Sequence, residues 1–182
     1  LVPGLELCHG LKIGTQVAGI DIGKGSDPTV VTVADVDWAN PVFVDEESHT
    51  YYYRKRVLDW LELLGDDHES QFYQIIDFLD KYNIRAIAID STGKGDPVAD
   101  RFKAYYEGRC DVIAVTFSMS SKSRMYKLLN AEIIANRWEI PNGSRVERSR
   151  KWRKFKNEML DLEKSWRGTY MVVHHPNEKD AH

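Results

Sequence analysis

Two short apolar runs along the chain end in an aspartate, and both predict β-strands. Residues 17–22 carry Asp21 and pass into a Gly-Lys-Gly turn, after which residues 29–36 resume as an antiparallel partner strand. The run Ile84–Asp90 repeats the pattern, because it also ends in aspartate and leads into Gly-Lys-Gly. The chain is therefore predicted to hold two strands that each end in an acidic side chain.

The segment between these two strands predicts a third strand and a helix. A turn over 37–40 is expected to lead into a strand over 41–46 or over 50–61. Residues 57–64 also fit one face of a helix, but we favour a strand there. Apolar residues at helical spacing in 66–82 predict a crossover helix that delivers the second aspartate-ending strand.

The pattern then continues to alternate helices with strands, giving a predicted order β-β-β-α-β-α-β-α. Asp96 and Pro97 predict a helix start, since proline lacks the N–H that the first turn of a helix leaves unbonded. The inward-facing positions of this helix are predicted to be Val98, Phe102 and Tyr105. After this helix we expect a buried parallel strand over 112–117, a helix over 121–136 and a strand over 138–141.

Composition limits the class of protein. A chain of 182 residues with 42% apolar residues can bury one full-sized core, so residues 17–182 are predicted to form one domain, with residues 1–16 as a linker or tag remnant. Cys8 and Cys110 lack the spacing of a zinc site or a disulfide framework. The chain shows no apolar run of roughly 18 residues and no signal peptide, so we expect a soluble cytoplasmic protein without a membrane partner.

Asp21 and Asp90 are the strongest candidates for chemistry. A carboxylate buried in an apolar strand is costly unless it is paired, so Asp21 either caps its turn by accepting backbone N–H bonds or belongs to a site. If the two aspartate-ending strands lie side by side and parallel, both carboxylates reach the same end of one sheet. Two neighbouring carboxylates repel, which is resolved either by a raised pKa of one of them or by a bound cation. Their hard oxygen ligands would favour Mg²⁺ or Mn²⁺ over zinc.

These motifs resemble a known family. Asp21 in Gly-Ile-Asp-Ile-Gly-Lys-Gly-Ser-Asp-Pro-Thr and Asp90 in Ala-Ile-Asp-Ser-Thr-Gly-Lys-Gly-Asp-Pro are similar to the first two acid motifs of the nuclease domain of phage large terminase subunits. The resemblance covers nearly all of residues 17–182. It implies an α/β fold of the RNase H-like (retroviral integrase-like) group, with a mixed central sheet flanked by helices.

The resemblance also implies an activity and partners. It implies a divalent-metal-dependent endonuclease that cuts concatemeric double-stranded DNA for viral packaging, with Asp21 and Asp90 holding two Mg²⁺ or Mn²⁺ ions. The implied partners are an upstream ATPase motor domain, a small terminase subunit and a portal, in the bacterial host cytoplasm. The sequence contains no Gly-x-x-x-x-Gly-Lys-Ser/Thr motif, so we expect the motor to lie outside these residues.

A third acid is expected from the resemblance, within a His-Asp-Asp cluster near the end of the domain. This chain stops at His182, so the third metal ligand is expected just beyond it. Asp180 is the carboxylate in this sequence that is placed to substitute as a catalytic residue, and Glu178 is a weaker candidate. Both also fit a plain surface loop.

Positive charge gathers after Ser120 although the net charge is -3. Lys122 and Arg124 are expected in the first turn of the helix over 121–136, where a cation opposes the helix dipole unless an anion lies nearby. Seven Arg and Lys residues between Arg145 and Lys156 indicate a basic flank on an amphipathic helix. Its apolar stripe is predicted to be Trp152, Phe155, Met159, Leu162 and Trp166, packed as core.

The candidate DNA-binding residues are these cations together with two glycine-flanked lysines beside the aspartates. Ordinary solvated side chains remain the alternative explanation for every one of them. They are Lys24, Lys94, Lys122, Arg124, Arg148, Lys151 and Lys154.

Two rival functions stay open at the level of sequence. A catalytically silent DNA-binding or assembly module would keep the fold for docking alone. A phosphotransferase of the sugar-kinase and actin type opens with a similar Gly-Ile-Asp-Ile-Gly, but it needs a second such domain. Metal-dependent nicking of plasmid DNA distinguishes the nuclease from both.

Overall fold

The computed structural model describes residues 15–23, 27–65, 67–91, 96–140 and 149–174. They form two compact units. The first unit takes in the described residues of Leu1–Thr116 together with Arg137–Glu139, and the second takes in Phe117–Asn136 and the described residues of Ile140–His182. The prediction of one domain over residues 17–182 stays a prediction. Within the described ranges, no helix is both long enough and apolar enough to span a bilayer.

In the part of the first unit that the structure describes, six strands form a mixed sheet accompanied by two helices, as the α/β prediction required. Its strands lie in the order β5-β4-β1-β2-β3-β6. The strands are β1 (Gln16–Asp21), β2 (Thr29–Asp45), β3 (Thr50–Leu63), β4 (Ile84–Asp90), β5 (Asp111–Val115) and β6 (Trp138–Glu139), and the helices are α1 (His68–Leu79) and α2 (Asp96–Tyr105). The predicted order of these elements is confirmed.

The pairings follow from the chain connections. β1 pairs antiparallel with β2, and β2 with β3, because each pair is joined by a reversal of the chain. β1 pairs parallel with β4, and β4 with β5, because a helix returns the chain to the same edge between the two strands. The predicted crossover by the helix over 66–82 is therefore confirmed.

Helix α1 begins where the sequence predicted, because its first turn is capped. The side chain of Asp67 accepts a hydrogen bond from the backbone N–H of Ser70, and Glu69 adds a negative charge in the first turn. Phe72 on α1 packs against Phe102 on α2 with ring centroids 4.8 Å apart. Both rings join the buried cluster that also holds Ile20, Val31, Ile87 and Ile89 of the sheet.

The predicted turn over 37–40 is wrong. β2 continues to Asp45, and the pairing with β3 instead shifts register between Val36 and Pro41. The irregularity accommodates Pro41, which has no N–H to donate to the ladder. The side-chain amide of Asn40 donates to the carboxylate of Asp37 at 3.0 Å, so a local hydrogen bond between turn-forming residue types is made inside a strand. Residues 41–46 therefore belong largely to β2, and residues 50–61 form the third strand.

Three further details differ from the sequence prediction. Tyr105 is 41% exposed, and Tyr106 is the buried ring, because positions 99, 102 and 106 share the inner side of the chain. β5 is half-buried, since it lies at the edge of the sheet. The stretch assigned to a linker also contributes to the fold: Gln16 starts β1, and the carbonyl of Thr15 accepts from the indole N–H of Trp38.

The described residues of the second unit form two helices and a hairpin. The helices are α3 (Met119–Ile134) and α4 (Arg150–Asp161), and the hairpin strands are β7 (Glu163–Arg167) and β8 (Tyr170–His174). Ser118 and Ser121 form a reciprocal cap at the start of α3. The hydroxyl of Ser123 accepts from the backbone N–H of Met171 at 2.9 Å, which ties α3 to the hairpin.

Two tyrosines of the first unit whose hydroxyls donate to aspartates have raised pKa values. Tyr82 donates to Asp59 at 3.1 Å, and Tyr106 donates to Asp80 at 3.1 Å. Burial, and then the negative charge of Asp59, raise the pKa of Tyr82 to about 12. Burial, and then the charge of Asp80, raise the pKa of Tyr106 as well. Both tyrosines therefore resist ionisation in the folded state.

These shifts predict an alkaline loss of stability. A folded-state pKa above the ordinary value of 10.0 means that the stabilisation is present below pH 10.0 and is lost as the pH rises toward 12. We expect the urea midpoint to fall between pH 8 and pH 11 more steeply in the wild type than in a Tyr82→Phe/Tyr106→Phe variant. Tyr51→Phe, on the exposed end of the β2–β3 hairpin, is the control. Equal losses in all three proteins would contradict the assignment.

Candidate functional site

The register between β1 and β4 brings Asp21 and Asp90 together at the point where both strands end. This end of the two strands is termed the strand edge. Ile20 pairs with Ile89, and each aspartate is the next residue and the last of its strand. Adjacent strands lie about 4.8 Å apart, so the two backbones hold these carboxylates at a separation that a single cation can bridge. The predicted meeting of the two acids at one strand edge follows directly from this parallel pairing.

The two aspartates also share one face of the sheet. Side chains alternate along a strand, and Ile20 and Ile89 are buried on the face that packs in the hydrophobic cluster. Asp21 and Asp90 therefore point to the opposite face. Gly19 and Ala88 precede them on that face and are exposed, so the positions directly before the carboxylates along each strand carry no bulky side chain.

The burial expected for Asp21 is wrong. Asp21 is exposed and Asp90 is half-buried, because the strands end there and the sheet edge opens to solvent. The cost of burying a lone carboxylate therefore gives no reason for Asp21 to be there. What singles out the pair is the register that juxtaposes them.

Further along the same row of the sheet lies a third carboxylate. Asp21 pairs with Val30, and Val30 pairs with Glu62, so Glu62 shares this row and this face. Two strand spacings, or about 10 Å, separate its backbone from that of Asp21, about twice the separation of Asp21 from Asp90. In the described part of the chain, no three His, Cys, Asp or Glu residues are grouped so that they could hold a metal.

The donor set therefore fits part of a divalent metal site. Two carboxylates at one strand edge supply the hard oxygens that Mg²⁺ and Mn²⁺ prefer. A complete site needs further oxygen ligands. The predicted candidates for the third acid, Asp180 and Glu178, lie outside the described residues.

Two buried hydroxyl residues next to the aspartates, Thr29 and Ser91, were not among the residues predicted from sequence. The hydroxyl of Thr29 accepts from the backbone N–H of Gly23 at 3.0 Å, just after Asp21. Ser91, directly after Asp90, lies with its hydroxyl 3.2 Å from that of Thr116 and donates its backbone N–H to the carbonyl of Val115. A polar residue at the boundary of each strand was the available signal.

The predicted DNA-binding residues divide into two groups. Lys24, Lys94 and Arg148 lie outside the described residues. The other four belong to the second unit, with Lys122 and Arg124 on α3 and Lys151 and Lys154 on α4.

Lys122 and Arg124 sit further from the helix start than predicted. α3 begins at Met119 after the Ser118 cap, so Arg124 lies in the second turn. The ammonium group of Lys122 lies 5.4 Å from the centroid of the Phe117 ring, which is a cation–π contact within the unit. This contact within the unit gives a reason for a cation at position 122 that does not involve DNA.

The basic helix α4 is confirmed, but it is shorter than its predicted stripe. It ends at Asp161, so Leu162 follows the helix and Trp166 lies on β7, where it is 59% exposed. Trp152, Phe155 and Met159 are the half-buried positions, while the cations between them are exposed. Lys154 lies 3.7 Å from Glu158 one turn along, a surface pair of small energetic weight.

Comparisons with solved structures give the fold. The large terminase nuclease from thermophilic phage G20c aligns with a TM-score of 0.61 and 16% identity, covering 91% of this chain and 75% of that one. A structure of the same nuclease with bound magnesium aligns with a TM-score of 0.61 and 16% identity, over 90% and 72% of the two chains. The nuclease domain of the large terminase subunit gp2 of bacterial virus Sf6 gives 0.60 and 11%, over 91% and 79%.

The family is shown by sequence. A search of curated proteins finds no match. A family model described as the terminase RNase H-like domain matches residues 18–176, which include both strand-ending aspartates and both units. The resemblance seen in the Asp21 and Asp90 motifs is confirmed, and the chain belongs to the terminase RNase H-like domain family.

Proposed function

We propose that this chain is a divalent-metal-dependent endonuclease that cuts double-stranded DNA during packaging of a phage genome. The observation that carries the proposal is the parallel register of β1 and β4, which places Asp21 and Asp90 on one face at one strand edge. Membership of the terminase family supplies the biological context. That membership also favours the nuclease over the sugar-kinase alternative.

In this proposal, Asp21 and Asp90 hold Mg²⁺ or Mn²⁺ through their carboxylate oxygens. The bound metal would supply charge stabilisation and an activated water for in-line attack on a phosphodiester. The chain's own part is to fix the two carboxylates side by side on rigid strand ends. The exposure of this edge leaves room for a duplex to approach, and Lys24 and Lys94, which follow the two aspartates closely in sequence, are candidate phosphate contacts.

Helix α4 is proposed to contact the phosphate backbone. Its exposed cations, Arg150, Lys151, Arg153, Lys154 and Lys156, follow one another closely on a helix with a half-buried aromatic stripe. Phosphate contacts position a duplex without reading its sequence. Lys122, Arg124 and Arg148 are proposed to add to this surface. The remaining partners of the proposal are an ATPase motor domain, a small terminase subunit and a portal, in the host cytoplasm.

The first test removes the carboxylate charge. Asp21→Asn and Asp90→Asn should each lower nicking of plasmid DNA in Mn²⁺ by at least a hundredfold, because each removes a metal ligand. The unfolding midpoint without metal should stay unchanged or rise slightly, since one of two like charges is gone. Added Mn²⁺ should stabilise the wild type more than either variant.

Asp77→Asn is the matched control, since it removes an exposed carboxylate from α1. It should nick like the wild type. If either strand-edge variant nicked within a few-fold of the wild type, the assignment of the site would be wrong. A wild type that binds DNA and never cuts would favour the silent DNA-binding module instead.

The second test reverses charge on α4. Lys151→Glu/Lys154→Glu should weaken binding to short duplexes of unrelated sequence by similar factors. Each lost phosphate contact should reduce the slope of log affinity against log salt by about 0.9. Fluorescence anisotropy over a salt series measures both quantities.

Lys81→Glu/Lys103→Glu changes the net charge by the same amount, at exposed positions of the first unit. Its salt slope should match the wild type. Equal effects in the two double variants would mean that net charge alone weakens binding, and α4 would then be only a solvated face.

The third test counts metals. Calorimetric titration of this chain should find one tight Mn²⁺ site and weaker binding of Mg²⁺, because Mg²⁺ demands a more complete octahedral shell. Asp180→Asn and Glu178→Gln should leave that site unchanged. Two tight sites, with one lost in Asp180→Asn, would instead identify Asp180 as the third acid of the site.

A further inference from the structure

A network of three hydrogen bonds, one buried and two partly buried, connects Gly23, just after Asp21, to helix α1. The backbone N–H of Gly23 donates to the hydroxyl of Thr29 at 3.0 Å, and that hydroxyl donates to the side-chain oxygen of Gln71 at 2.8 Å. The amide nitrogen of Gln71 then donates to the carbonyl of Gly65 at 2.7 Å. Thr29 is 1% exposed and Gln71 is 5% exposed, although both are polar.

Each of the three hydrogen bonds in this network has a defined donor and a defined acceptor. The hydroxyl of Thr29 uses its single proton on Gln71 and receives the proton of Gly23, so its orientation is fixed from both sides. Gln71 is similarly held between Thr29 and Gly65. A buried polar group that loses its partner is destabilised, so the three bonds support one another.

The backbone of Gly23 also lies directly against the backbone of Asp27 and Pro28, just before Thr29. A Cβ atom added at Gly23 would collide with the backbone of Asp27 and Pro28, so both ends of this turn are in direct contact. Gly23 is only two residues beyond Asp21. The hydrogen bond from Gly23 to Thr29 therefore limits how far the end of β1 can move.

We infer that Thr29 and Gln71 are positioning residues for Asp21, which fix the end of β1 relative to the neighbouring Asp90. The inference rests on the proposed function, because it assigns these residues to the proposed metal site. Asp21 is exposed and is the last residue of its strand, so its position depends on where the end of β1 is held. Catalytic geometry requires a ligand to be held within about 0.5 Å, so an exposed acid needs support from the layer beneath it.

The alternative is that the three bonds stabilise the first unit and do nothing more. Three variants separate the two explanations. Thr29→Val keeps the shape of the side chain and removes its hydroxyl, whereas Thr29→Ser retains the hydroxyl. Gln71→Met removes both hydrogen bonds of the Gln71 side-chain amide. Tyr106→Phe is the control, because it removes a different hydrogen bond of the first unit, the one to Asp80.

The experiment measures backbone exchange, metal affinity and cleavage below the unfolding temperature of every variant. Hydrogen exchange of the Gly23 amide should be at least tenfold faster in Thr29→Val than in Tyr106→Phe, since its acceptor is gone. Calorimetric Mn²⁺ affinity should fall at least fivefold in Thr29→Val and Gln71→Met. Thr29→Ser should stay within twofold of the wild type. In cleavage assays, kcat should fall while KM for DNA is unchanged.

The outcomes distinguish the inference from the proposed function. If the wild type binds Mn²⁺ and cuts DNA while Thr29→Val and Gln71→Met behave like Tyr106→Phe, the positioning role is wrong and the proposed function stands. If the wild type neither binds Mn²⁺ nor cuts DNA, the proposed function fails and the positioning role fails with it. Loss of metal affinity in Thr29→Val with recovery in Thr29→Ser supports both.

Discussion

The parallel pairing of β1 with β4 is the constraint on which the candidate site depends. A shift of one residue in this register would place one aspartate on the buried face and the other on the open face, because side chains alternate along each strand. The apolar residues fix the register: Ile20 and Ile89 pair with each other and are both buried in the cluster beneath the sheet. The hydrophobic core therefore determines where the two carboxylates meet.

At the strand edge, where β1 and β4 end, the backbone is rigid and the face that carries the two carboxylates is exposed to solvent. Strands β1 and β4 are central in the sheet and paired on both sides, so their ends are fixed by ladders of hydrogen bonds. Gly19 and Ala88 leave the face in front of the carboxylates uncrowded among the described residues. Repulsion between the two acids is tolerable at such an edge, because solvent screens it when no cation is bound.

The distribution of charge matters more than its sum. A net charge of -3 gives no indication of a nucleic-acid partner, because acids in the first half of the chain offset the cations of the second half. The structure separates these contributions, with the paired aspartates in one unit and the basic helix α4 in the other. The proposed division of work is chemical at the strand edge and electrostatic on α4.

The sequence by itself determined the α/β class, the order of the first eight elements and the two acids. Each rests on a local signal: apolar periodicity for β1, α1 and β4, and an aspartate before a glycine-rich turn for the site. Resemblance between the Asp21 and Asp90 motifs and the terminase nucleases added the family, which the match over residues 18–176 confirmed. Local patterns suffice for these features because they arise within a few neighbouring residues.

Only the tertiary structure decided which residues support the site and where the elements end. Residues 37–40 are of turn-forming types, yet they lie within the continuous strand β2. The cross-strand hydrogen bonds with β3, although irregular near Pro41, outweigh the local preference for a turn. Trp166 continues the helical spacing of Trp152 and Phe155, yet it pairs within the β7–β8 hairpin. Thr29 and Gln71 are 42 residues apart along the chain, and the sequence held no sign of their contact. Such contacts form only when the sheet and α1 pack together, since packing is what brings distant polar groups within hydrogen-bonding distance.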